Sequence, residues 1–217
     1  PGVVDGNGLV KRSTLLGWRN VDVRTPIERR FSLPVTVNND ATAAMFTERL
    51  FGKGGPNMMF VRLRRGVGGA VLLGDVPVFG ENHAGGEIGH ISLDPQGPPC
   101  ACGKRGCLER LVSATSLHAR LQRSDERMRA SILREAGTYL GTALSMPVGL
   151  LDLADVCVYG QSDIVNDTLL SASQAHLDLL TGSSFHTRTI IRRCECKGEI
   201  TLRGEALSVL HDYLENR

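Results

Sequence analysis

One short window constrains this chain more than any other. Gly85 to Ser113 reads GGEIGHISLDPQGPPCACGKRGCLERLVS. It places His90, Cys100, Cys102 and Cys107 within one loop-like stretch and interleaves carboxylates among them. Thiolates and imidazole are the donors that tetrahedral Zn(II) takes. The segment is rich in Gly, Pro and Lys and has too few apolar groups to hold its own shape, so a bound ion is the expected organiser. Four protein ligands would close the coordination sphere and leave no position for a reactive water. The expectation is therefore structural Zn(II) on His90, Cys100, Cys102 and Cys107, not a zinc hydrolase. The competing reading is a set of reduced thiols beside an unrelated histidine.

The rest of the composition narrows the class. With 217 residues, 41% hydrophobic and 22% charged, the chain can bury one sizeable core or two small lobes. A formal net charge of +2 does not by itself predict nucleic-acid binding. No apolar run approaches the roughly 20 residues that span a bilayer, and no signal peptide is visible. Six unevenly spaced cysteines do not look like a disulfide scaffold, so a reducing, cytoplasmic setting is expected. Cys194 and Cys196 are expected on one face of a strand rather than in a second metal site. The opening Pro1-Gly2-Val3-Val4-Asp5 reads as a turn inside a domain, so a fragment is expected.

Residues 1–17 are turn-rich, and Trp18 is expected to anchor packing. Thr25-Pro26 predicts a helix start with Thr25 as N-cap. Val35 to Val37 predicts a strand, followed by a polar turn and a helix over 41–50. Ligands bind beyond the carboxyl ends of strands in α/β folds, which draws attention to Asn39 and Asp40 at that junction. Asp40 has an equally good reading as a simple N-cap. Strands are predicted at 58–63, 71–73, 154–159 and 189–191, and helices at 109–121, 127–144, 169–180 and 202–214. Gly66, Gly68 and Gly69 are expected in a hairpin-like loop, where glycine would let a backbone approach a phosphate. The alternation of strands and helices says α/β.

At Glu87-Ile88-Gly89-His90 and over Cys100 to Glu109 the sequence resembles the ROK family of repressors and sugar kinases. The resemblance extends back through Leu33-Pro34-Val35 and Asn39-Asp40-Ala41. It runs forward through Ala136-Gly137, Leu140-Gly141 and Asp152. It implies a two-lobed actin/hexokinase-like (ribonuclease H-like) α/β fold, here mostly the second lobe with an incomplete first lobe. Residues 1–38 would end the N-terminal lobe, 39–200 would form the C-terminal lobe, and 201–217 would be a terminal helix returning to the first. It further implies that Asn39, Asp40, Glu87, His90 and Glu109 bind a sugar, with zinc on the four ligands named above. In the family's kinases the residue matching Asp40 is the general base, and Mg-ATP supplies the phosphoryl group.

Two departures weigh on that resemblance. No Asp-x-Gly-Gly-Thr phosphate loop occurs in these residues. The second phosphate loop, usually Gly-Thr-Gly-x-Gly-Gly-Gly in the kinases, here reads Arg64-Arg65-Gly66-Val67-Gly68-Gly69-Ala70. A retained sugar site beside a degenerate phosphate loop points to sensing without phosphoryl transfer. The first expectation is the effector domain of a transcriptional regulator, a homodimer that reaches DNA through a domain outside this chain. Its ligand would be a hexose, an N-acetylhexosamine or a phosphate of either. The alternative is an ATP-dependent sugar kinase seen as a fragment. Arg64 and Arg65 read either as a solvated pair or as a binding site for the effector's phosphate.

Overall fold

A computed structural model describes residues 2–185 and 187–215. The side chains of 211, 212, 214 and 215 are outside the description. The chain opens with a three-stranded antiparallel meander, β1 (Val3–Val4), β2 (Leu9–Ser13) and β3 (Trp18–Asp22). These strands stand where the sequence predicts turns. Trp18 lies on the meander 39% exposed, so it does not anchor packing. The helix α1 (Arg24–Phe31) starts one residue before the predicted cap, and the Asp22 carboxylate accepts from the Thr25 N–H at 3.0 Å.

Residues 35–37 form no strand. The Val35 N–H donates to the Glu28 carboxylate at 3.2 Å and not to a ladder. They lead directly into α2 (Asp40–Phe51). Then comes the main sheet, with β4 (Met58–Leu63), β5 (Val67–Leu73), β6 (Val76–Pro77), β7 (Asp155–Gly160) and β8 (Ile190–Arg193). Its order is β6-β5-β4-β7-β8. The β4–β5 and β5–β6 pairs are antiparallel, while β4–β7 and β7–β8 are parallel. This is the mixed sheet of the actin/hexokinase-like class, as expected.

Alternation along the strands divides the core. Met59, Val61 and Leu63 of β4 join Val156 and Val158 of β7 on one face. That face is covered by α3 (Leu108–Val112), α4 (Ala114–Leu121), α5 (Glu126–Leu151) and α6 (Asp167–Thr181). Met58 and Phe60 join Cys157 on the other face, under α2 and α7 (Ile200–Glu215). The period of two also sends Arg62 and Tyr159 to this second face, and the two residues are register partners. The predicted helix over 109–121 is two helices. Ser113 adopts an extended conformation between them, and its hydroxyl caps α4 by accepting from the Ser116 N–H at 3.2 Å. Along α2, the Thr47 hydroxyl donates to the Ile200 carbonyl at 2.6 Å and ties α7 down. None of the described helices is long and apolar enough to cross a membrane.

Candidate functional site

Two of the three glycines expected in a hairpin loop, Gly68 and Gly69, lie in the sheet. The bend is confined to Arg64–Gly66, and Gly68 and Gly69 are part of β5, opposite Arg62 and Val61. Their role is close approach. A Cβ on Gly69 would stand 2.6 Å from the Gly86 carbonyl oxygen. Gly86 itself has φ +85°, which disfavours any side chain. The loop carrying Glu87 can therefore lie directly on β5.

Three carboxylates meet above this contact. Asp40 is the first residue of α2. Glu87 precedes a single 3-10 turn, Ile88–His90. Glu109 lies in α3, and its Oε2 accepts from the Val67 N–H at 3.0 Å. Burial pushes the Glu87 carboxyl above its ordinary range, and the neighbouring charges of Asp40 and Glu109 add to this while His90 opposes it. Glu87 Oε2 is 3.9 Å from His90 Nε2. The other ring nitrogen, Nδ1, is 3.7 Å from Cys100 Sγ. His90 thus turns one nitrogen to the thiols and the other to the carboxylates.

The four expected metal ligands come together. Cys102 Sγ and Cys107 Sγ are 3.6 Å apart, and all four donor atoms lie within 4.8 Å of one another. The arrangement can hold a metal ion. The loop around it is built from turns. The Gly103 N–H donates to the Cys100 carbonyl at 3.0 Å, the Cys100 N–H to the Lys104 carbonyl at 2.8 Å, and the Leu108 N–H to the Ile91 carbonyl at 2.9 Å. Burial first, and then the adjacent Cys102 and Cys100 thiols, push the Cys107 thiol up to about 12. Cys107 is also the N-cap residue of α3, so the ligand cluster fixes the helix that presents Glu109 two residues later.

Asn39, not Asp40, caps α2. Its side-chain oxygen accepts from the N–H groups of Ala41 at 2.8 Å and Thr42 at 3.3 Å, and its amide donates to the Gly2 carbonyl at 2.9 Å. Asp40 is thereby released for another use. Its Oδ2 accepts from Arg62 Nη1 at 2.9 Å. Sequence reasoning missed Arg62. Its signal was a charged residue at an inward position of an otherwise apolar strand.

A second sulfur cluster was also missed. Cys194 and Cys196 lie just past β8 and not on a strand face. Cys194, Cys157 and Glu48 bring their ligand atoms within 4.8 Å of one another. Glu48, fully buried in α2, already has its donors: Arg192 Nη1 at 2.6 Å, the Cys194 thiol at 3.0 Å and the N–H groups of Glu195 and Cys196, each at 3.1 Å. Burial alone would push Glu48 up. The Cys194 thiol, the Arg192 guanidinium and the surrounding N–H groups outweigh it and hold the carboxyl at about 2. Arg192 also forms a forked pair with Asp155, at 2.8 and 2.9 Å.

The glucokinase of Halalkalibacterium halodurans is 29% identical over 82% of this chain and 64% of its own length. The xylose repressor of Bacillus subtilis is 31% identical over 59% of this chain and 34% of its own. The chain thus spans between about a third and two thirds of these relatives. Among solved structures, a ROK family glucokinase from Streptomyces griseus in complex with glucose and AMPPNP superposes with a TM-score of 0.83. It shares 23% identity and covers 95% of this chain and 78% of its own. A ROK family transcriptional regulator, a homologue of the E. coli Mlc protein, gives 0.82 at the same identity, over 95% and 60%. The sequence model of the ROK family matches residues 1–143, two thirds of the chain, and that extent settles the lineage: this chain belongs to the ROK family.

Proposed function

We propose that this chain is the sugar-sensing part of a ROK transcriptional regulator, binding a hexose or N-acetylhexosamine without phosphorylating it. One observation carries the reading: the Arg62 guanidinium on Asp40 at 2.9 Å. A general base must offer a free carboxylate oxygen to the attacking hydroxyl. Here one of the two oxygens, Oδ2, is held by a cation. The convergence of Asp40, Glu87, His90 and Glu109 supports sugar binding, because each hexose hydroxyl is both donor and acceptor. A sugar closing on this cluster would shift a homodimer between DNA-binding and non-binding forms, the DNA-contacting domain being elsewhere in the full protein.

The metal in this reading is zinc, on His90, Cys100, Cys102 and Cys107. The 3.6 Å between the Cys102 and Cys107 sulfurs is close to the edge of about 3.8 Å that zinc–sulfur bonds of about 2.3 Å would set in a tetrahedron. Bound there, zinc supplies rigidity. The chain's own residues do the recognition: His90 presents Nε2 beside Glu87, and α3 presents Glu109.

The kinase reading has one observation in its favour, since the glucokinase relative aligns over more of this chain than the repressor does. In that reading Asp40 is the general base, and the bend at Gly66 with Gly68 and Gly69 borders the phosphates of Mg-ATP. Phosphoryl transfer from ATP to glucose, mannose and N-acetylhexosamines, measured on the full-length protein, decides between them. Sugar binding with no turnover is expected. Turnover that disappears in Asp40→Asn would establish the kinase.

A further inference from the structure

Three consecutive residues lead into the sugar cluster, and each sends its side chain to a different element. The Asp40 carboxylate pairs with Arg62 of β4. The Asn39 side chain caps α2 and holds the Gly2 carbonyl. Asn38 goes to α7, where its side-chain amide donates to Glu205 Oε2 at 3.0 Å, across 167 residues of chain. Neither Asn38 nor Glu205 belongs to the sugar cluster. The helix they meet on is firmly seated. Gly204, next to Glu205, is buried, and a Cβ there would overlap the Ala43 carbonyl of α2. One turn earlier, the Thr201 hydroxyl donates to the Asp40 carbonyl at 3.4 Å. Thr201 and Glu205 are four residues apart and share one face of α7. That face therefore meets the turn over 38–40 twice, once at the Asp40 backbone and once at the Asn38 side chain. Glu205 is half-buried. Burial pushes its carboxyl above the ordinary range, the Asn38 amide opposes this, and the negative charge of Asp40 adds to it.

We propose that Glu205 is a positioning residue of the sugar cluster, acting through Asn38 to aim Asp40. The proposal rests on the sugar-binding reading above and deepens it by adding a residue from the far end of the chain. The direction of the Asp40 side chain follows from the backbone of the two residues before it. Asn39 is fixed from the helix side by its cap. From the other side no ladder fixes the turn, because residues 35–37 belong to no strand. The Asn38 amide on Glu205 supplies the missing restraint. It is a charge-assisted hydrogen bond, which is stronger and more directional than a neutral one. Its acceptor stands on a helix that the Gly204 contact and the Thr47 hydroxyl hold against α2, so the reference point is rigid. Glu205 does this without touching the sugar.

Calorimetry on the full-length protein tests this with glucose, mannose and N-acetylglucosamine as separate probes. Glu205→Ala is expected to weaken whichever sugar binds about tenfold, the net worth of one hydrogen bond. Glu205→Gln keeps a side-chain oxygen that can accept from Asn38 and should recover most of the affinity. Asn38→Ala should weaken binding as much as Glu205→Ala, and the double variant no further, because the two residues act as one unit. Ser208→Ala, which removes only a bond to the Gly204 carbonyl within α7, should leave affinity unchanged. Chemical denaturation of each variant separates positioning from folding: a merely structural Glu205 would lower stability and leave the affinity of the folded protein as it was. Should Glu205→Ala not fold, Asn38→Ala carries the same expectation. Unchanged affinity, additive losses in the double variant, a loss that Glu205→Gln does not recover, or an equal loss in Ser208→Ala overturns the proposal. If no probe sugar binds the unmodified protein, the sugar-site reading fails on its own, and hydrogen exchange decides whether Glu205 sets the turn. Faster exchange at the Ala41 and Thr42 amides in Glu205→Ala and Asn38→Ala alike, recovered in Glu205→Gln, sustains it. Unchanged exchange overturns it.

Discussion

The loop over 85–113 and the buried cluster around Glu48 each gather three cysteines with an ionisable partner, yet they differ in charge balance. In the loop, His90, Cys100, Cys102 and Cys107 face one another with no cationic side chain among the donor atoms, and the Cys107 thiol is pushed up to about 12. Around Glu48, the chain supplies its own cation, Arg192, and four further N–H or S–H donors fill the carboxylate. The thiols of the loop have no internal cation and can hold a metal ion. Around Glu48 an arginine is already there, and the cluster is a structural knot. The first cluster organises a surface that can meet a ligand, and the second locks α2 to the end of β8.

The largest expected effect lies at the knot. Glu48→Ala leaves Arg192 with half of its carboxylate partners in a buried site and should cost about 3–5 kcal/mol of stability in chemical denaturation. A loss under about 1 kcal/mol would mean that the knot is not what holds α2 to β8. The same residue sets an acid limit. Its folded value of about 2 lies below the ordinary 4.5, so its contribution is complete above pH 4.5 and is lost as pH falls toward 2. Thermal melts should show up to about 3 kcal/mol of stability lost across that window, and Glu48→Gln should flatten the dependence.

Smaller effects sharpen the contrast from the loop side. Cys102→Ser should abolish stoichiometric metal in elemental analysis and weaken sugar binding about tenfold, or about 1.4 kcal/mol, because His90 and α3 lose their common anchor. Cys194→Ala removes one thiol donor from a carboxylate that keeps its arginine. It should cost only about 1 kcal/mol, with metal content unchanged. Metal lost from Cys194→Ala would place an ion in the second cluster and erase the distinction between the two.

The loop was legible because its ligands are local in sequence, with Cys100, Cys102 and Cys107 spaced within eight residues and His90 ten before the first. The strand over 58–63 was equally plain, as an apolar run bounded by turns. The long helices were too, although α5 runs seven residues past its expected end through Pro147. The knot was not legible, because Glu48 meets Arg192 across 144 residues of chain. Nor was the Arg62–Asp40 pair, which depends on the pleat of β4 and the start of α2. The glycines at 68 and 69 look like a loop in one dimension. Only tertiary proximity explains their place in a strand: the Glu87 loop lies on Gly69, and Ala41 of α2 faces Gly68.

The account turns on the claim that the Cys/His loop supports sugar recognition while the Glu48 knot does not. Titrating the full-length protein with its sugar before and after metal removal by a chelator, and again after restoring zinc, measures this directly. The account predicts that sugar affinity falls about tenfold on removal and returns with one equivalent of zinc, while Cys194→Ala responds as the unmodified protein does. Unchanged sugar affinity in the metal-free protein would contradict it.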